Sequence, residues 1–204
     1  MDETVPTLDS ARSRRTFGAR VVALVLAIVV LTGIGASLAW AKTRPAPVGT
    51  GVVVIETALI DGHALRLGHG VRIAEDITIE GEDDDAQFVT LGRLAQWVKD
   101  RGVTLECSPS SNLQTGAFAA WGDTMADHPF DMLYQLGFRV TVNTDNRLMS
   151  ATNLTKEIGI LSETFGYDAD DVLAFQLNAA EAAFIPLEDR EELVERLTEG
   201  FGAA

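Results

Sequence analysis

With 204 residues and 21.9 kDa, the chain has room for one ordinary domain, or one plus an appendage, and is too short for a multidomain assembly. Its 47% hydrophobic and 23% charged residues, with 18 Gly and 6 Pro, exclude wholesale disorder and a fibrous repeat. A net charge of −14 argues against a nucleic-acid partner, because an acidic surface releases no counterions from a phosphate backbone. The single cysteine, Cys107, rules out an intrachain disulfide, a cysteine-built zinc ribbon and a zinc site on a P-C-x-x-C pair.

Charge divides the chain into unlike parts. Up to Pro45, six basic residues (Arg12, Arg14, Arg15, Arg20, Lys42 and Arg44) stand against three acidic ones (Asp2, Glu3 and Asp9), so the remainder carries −17. Residues 1–20 form a basic tail. Val21 to Ala41, VVALVLAIVVLTGIGASLAWA, runs 21 residues without a charge, close to the ~20 a helix needs to cross a hydrocarbon core. The expectation is one N-terminal transmembrane helix with Trp40 at its outer edge. The arginines before it place the N-terminus in the cytoplasm and the acidic domain outside. The alternative is a secretory signal cleaved after Ala39-Trp40-Ala41, giving a secreted product that begins near Lys42. Residues 42–51 have the Pro/Gly punctuation of a linker, and 52–204 form the folded domain.

Within that domain helical and strand patterns alternate. Ile55 to Ile60 is a short amphipathic stretch, and Leu65 to His69 reads as a buried strand end closed by Gly70. The acidic run Glu80 to Asp85 predicts a solvated loop. Leu91 to Asp100 places Leu91, Leu94, Ala95 and Val98 on one helix face, and Val103 to Cys107 is a short apolar strand. Pro129 opens a helix through Leu136 that Gly137 ends, and Phe138 to Val142 is the next strand. Helices follow at Leu154 to Phe165, Ala169 to Glu181 and Leu187 to Leu197, the last with an acidic first turn. This order implies parallel β/α units.

Chemistry in such folds gathers at the carboxyl ends of the strands. Three polar clusters fall there: Gly68-His69-Gly70, Glu106 to Asn112, and Asn143 to Asn146. His63 and His128 read as bland, His128 because it precedes Pro129 at a helix start. Five segments, RLGHGVRI (66–73), LECSPSSNLQTG (105–116), HPF (128–130), FRVTVNTDNRLMS (138–150) and NAAEAAFIP (178–186), resemble in order and spacing the C-terminal part of the adenosine deaminases, from about Ile55 to Phe201. That resemblance implies a TIM-type β/α barrel whose zinc-bound water attacks C6 of adenosine, releasing ammonia and leaving inosine. By position it implies His69 as the catalytic histidine beside the water and Asp145 as a zinc ligand. Asn146 stands where many members have a second aspartate that hydrogen-bonds purine N7, and an amide NH2 can donate to N7 directly. Ser111 and Glu106 match strand-end positions with supporting roles.

The departures from the family pattern are equally definite. The family draws most zinc ligands from a histidine pair near the start of the barrel and a histidine after its fifth strand, and its purine-protonating glutamate from an H-A-G-E segment. None of these stands here; PAPVGTGVVV lies where the last should be. The expectation is about the last three of eight strands, in a length well short of the ~250 residues of a complete barrel. Three functions follow as expectations: a truncated adenosine deaminase with doubtful activity of its own, a membrane-anchored non-catalytic binding module, or one half of a site that a complementing N-terminal half completes with zinc and a purine nucleoside substrate.

Overall fold

A computed structural model of the chain describes residues 21–23, 51–83 and 86–202. The expected basic tail and 42–50 of the expected linker lie outside these residues, as does 24–41 of the expected transmembrane helix; Gly51, expected in the linker, begins a helix. Where that helix was expected to begin, Val21–Ala23 is instead a strand, β1. Among the described residues no helix is long and apolar enough to cross a membrane.

The domain is mixed α/β. Helix α1 (Gly51–Ile60) leads to strand β2 (Arg66–Gly68), a 3-10 segment over Gly70–Asp76, the hairpin strands β3 (Ile77–Asp83) and β4 (Ala86–Leu91), helix α2 (Arg93–Asp100) and strand β5 (Thr104–Cys107). Helix α3 (Pro109–Gln114), a 3-10 turn at Met125–Asp127, helix α4 (Phe130–Gln135) and strand β6 (Val140–Val142) follow, then helices α5 (Leu154–Phe165), α6 (Ala169–Glu181) and α7 (Leu187–Gly202). The central sheet has the order β2-β5-β6 with both pairings parallel, so the three expected strands are the three observed. One face of its middle strand is apolar and covered: Leu105 and Cys107, with Val140 of β6, are fully buried in one core with Val98, Phe130, Leu133 and Phe175, while Thr104 and Glu106 take the opposite face. Burial pushes the Cys107 thiol up to about 12, which keeps it protonated and unreactive.

Of the run expected as a solvated loop, Glu80 to Asp83 is instead part of strand β3 in the hairpin. Ile77, Thr78 and Ile79 pair with Leu91, Thr90 and Val89, and β1 adds in parallel beside β4. Its cause is the short alternation Ile77, Ile79 opposite Val89, Leu91, whose backbone ladder extends the pairing as far as Asp83 and Ala86. Helix α2 begins two residues later than periodicity suggests, since its start is set from elsewhere: Asp76 Oδ2 accepts from Leu94 N–H at 2.9 Å and Ala95 N–H at 2.8 Å. Gly92 is needed there, because a Cβ would stand 2.1 Å from Asp76 Oδ1.

On the other side, α5 and α6 have the limits expected of them. Asn153 caps α5 by accepting from Lys156 N–H, and Asp168 with Asp171 forms a capping box on α6. Gly166 ends α5 at φ 75, the left-handed conformation glycine favours. Between them sits an aromatic group in which the Phe175 ring lies 5.1 Å from Phe130, 4.9 Å from Tyr134 and 5.2 Å from Tyr167, all edge-on.

Candidate functional site

Each strand of the parallel sheet delivers a polar loop to the same edge. After β2, His69 takes φ 52 and ψ 37, yet its N–H still pairs with the Glu106 carbonyl at 2.9 Å. Gly70 follows by necessity of space, as a Cβ there would meet Leu105 Cδ2 at 2.8 Å. Past the end of β6, Asp145 also has φ 52. Holding a non-glycine residue in this region costs on the order of 1 kcal/mol, sustained only where surrounding contacts determine it.

The two side chains meet. His69 Nε2 lies 3.6 Å from Asp145 Oδ2, longer than a hydrogen bond, and Ser111 Oγ, from α3, donates to that same oxygen at 2.7 Å. Asn146 Oδ1 accepts from Met149 N–H at 3.2 Å, which leaves its amide NH2 as the donor toward anything that enters. Glu106 does not join them. Its carboxylate pairs with Arg66 Nε at 3.1 Å, while Arg66 donates to the Ala182 carbonyl at 3.1 Å and stacks 3.8 Å over Phe184, so this pair braces β2 against the chain after α6.

Two residues that the sequence reading passed over stand behind His69. Asn112, fully buried, brings its amide to 3.0 Å from His69 Nδ1, and His128 Nε2 lies 3.3 Å from Asn112 Oδ1. His128 is 3% exposed, packs 4.7 Å from the Phe118 ring, and accepts from Phe130 N–H through Nδ1 at 3.0 Å. The available signal was Asn112 four residues after Ser108, whose N–H it accepts at 3.1 Å; nothing local marked His128. His63, by contrast, is exposed in the loop between α1 and β2.

Burial pushes the His128 imidazole down to about 4. An unfolded histidine titrates near ~6.5, so between these values the unfolded chain binds the proton and the folded chain does not. Stability is therefore full above about pH 6.5 and falls as pH drops toward 4, by about 3 kcal/mol from this group. Urea midpoints at pH 7 and pH 4.5 should separate accordingly, and the same separation in His128→Gln would show that another group is responsible.

Parallel strands flanked by helices, with the polar loops gathered at their carboxyl ends, define the class as a β/α-barrel portion. The chain belongs to the adenosine deaminase family, whose profile matches residues 40–200. It is 50% identical over 147 residues to an adenosine deaminase of Mycobacteroides abscessus and 48% identical over 147 residues to one of Mycobacterium marinum, covering 72% of this chain and 38% of each relative. The chain thus spans about two fifths of the length of these curated relatives. In fold it is similar to an adenine deaminase from Arthrobacter aurescens, with TM-score 0.61 and 22% identity over 74% of this chain and 40% of that one. It is also similar to a Burkholderia ambifaria amidohydrolase solved with bound zinc, with TM-score 0.56 and 19% identity over 75% and 40%.

A zinc ion needs about three protein donors and an open position. Among the described residues no three His, Cys, Asp or Glu side chains converge to hold a metal. His69 and Asp145 form a pair, and Ser111 already uses the Asp145 oxygen that faces the histidine. The described residues therefore do not fit zinc by themselves.

Proposed function

We propose that this chain contributes the C-terminal wall of an adenosine deaminase site, with an aminopurine nucleoside bound above the carboxyl ends of β2, β5 and β6. The observation that carries this reading is the meeting of His69 with Asp145 across Ser111, two strained residues brought together from separate strands in a chain of this family. In that role His69 offers an N–H to the reacting face of the purine, Asp145 a carboxylate oriented by the Ser111 hydroxyl, and Asn146 an amide donor suited to a ring nitrogen acceptor.

The test is a graft of residues 51–202 into the Mycobacteroides abscessus relative in place of its matching segment. Conversion of adenosine to inosine is expected, falling at least ~10²-fold in His69→Ala and in Asp145→Ala, with a smaller loss in Asn146→Ala. A folded graft that binds zinc and leaves adenosine unchanged would overturn the reading.

A second reading, a non-catalytic nucleoside-binding module, is favoured by the shortfall of metal donors among the described residues. Equilibrium dialysis of adenosine against the full chain, with and without an added N-terminal half of a relative, separates it from complementation. Membrane attachment through Val21–Ala41 is a separate proposal, supported by its 21 uncharged residues; it requires Val21–Ala23 to leave the edge of β4. Retention of the full chain in carbonate-washed membranes is the expected result; release into the soluble fraction contradicts it.

A further inference from the structure

The hydrogen bonds behind His69 leave little freedom in where the protons sit. The Phe130 N–H donates to His128 Nδ1 at 3.0 Å, and a nitrogen that accepts from a backbone amide carries no proton of its own. Neutral His128 therefore has its proton on Nε2, 3.3 Å from Asn112 Oδ1. The Ser108 N–H donates to that same oxygen at 3.1 Å. With two donors on one side, the Asn112 amide has a single satisfactory orientation: turning it over would set its NH2 against both. Its NH2 consequently faces His69 Nδ1 at 3.0 Å, and Nδ1 must accept.

We infer that Asn112 and His128 are positioning residues that fix the tautomer of His69, holding Nδ1 unprotonated and the neutral ring's proton on Nε2, the nitrogen turned toward Asp145. The relay begins at a backbone amide, whose proton cannot be lost, and passes through two buried side chains to a half-exposed one. Burial gives it force, because a reversed donor anywhere along it would leave two donors facing each other with no water to separate them. The tautomer stands on these contacts alone. What it serves rests on the proposed function: it makes the exposed nitrogen of His69 a donor rather than an acceptor.

The experiment is nitrogen NMR of the full chain labelled at its histidine rings, taken at alkaline pH where further base leaves the ring signals unchanged. Only three histidines are present, so single substitutions of His63 and of His69 assign all three. In the unmodified chain, Nδ1 of both His69 and His128 should show the shift of an unprotonated nitrogen. Asn112→Asp then replaces the donor facing His69 with an acceptor of the same shape, and the His69 tautomer ratio should move toward the Nδ1–H form by about tenfold, as expected for exchanging one hydrogen bond for another. A folded Asn112→Asp chain with an unchanged ratio overturns the inference. If that variant does not fold, the unmodified chain decides, since a proton on Nδ1 of either ring also overturns it. A graft that lacks deaminase activity while the tautomers are as described counts against the proposed function and leaves the relay intact.

Discussion

Glu157→Ala is expected to lower the stability of the domain by about 4 kcal/mol, from two buried donors left without an acceptor at about 1–3 kcal/mol each. Glu157 is fully buried in the first turn of α5, a place where a carboxyl is otherwise rare. One oxygen accepts from Ser110 N–H at 2.9 Å and the other from the Thr152 hydroxyl. The side chain thereby ties the start of α3 to the turn before α5. Since α3 carries Ser111 and Asn112, the same substitution should loosen the support of His69 and Asp145. Urea unfolding with an unchanged slope measures the loss. Glu163→Ala, exposed on the same helix, should stay within ~0.5 kcal/mol, and a comparable effect for both substitutions would refute the claim that burial is the cause.

Phe175→Ala should cost a further, independent amount of about 4 kcal/mol, the usual size for emptying a large aromatic from a core. Phe175 is 1% exposed and sits among Phe130, Tyr134 and Tyr167. Those rings cannot collapse into the space, because two are anchored by their hydroxyls, Tyr134 on Asp171 and Tyr167 on Asp131, each at 2.9 Å. Phe175→Leu, which keeps most of the volume, should lose less than half as much. Equal losses would mean that ring geometry rather than volume holds α6 in place. Burial beside Asp131 also pushes the Tyr167 hydroxyl strongly up, so it remains a donor at every pH at which the domain is folded.

Sequence and structure agree best where a segment carries its own instructions. Helices α5 and α6 are bounded by the caps Asn153 and Asp168 and the stop at Gly166, all readable from neighbours a few residues apart. Strands β5 and β6 are short stretches whose apolar residues Leu105, Cys107, Val140 and Val142 are all buried. His69 and Asp145 were found because family motifs mark them, and the structure sets them 3.6 Å apart. Glu106, matched by the same motifs, is paired with Arg66, a contact that no motif announces. The hairpin at Ile77 to Leu91 was hidden because its charges outweigh its two alternating apolar pairs when the strands are read one at a time.

The sequence by itself determined the alternation of helices and strands, the apolar residues that β5 and β6 bury and the identity of the residues at the sheet's carboxyl edge, since each depends on periodicity, capping or a local motif. Only the tertiary structure decided which polar groups meet there. Asn112 reaches His69 across 43 residues, Ser110 reaches Glu157 across 47, and Ser111 reaches Asp145 across 34. Such bonds are possible only once parallel pairing has brought distant loops to one edge. Their strength comes from the exclusion of water, a property of the packed domain that no stretch of chain possesses alone.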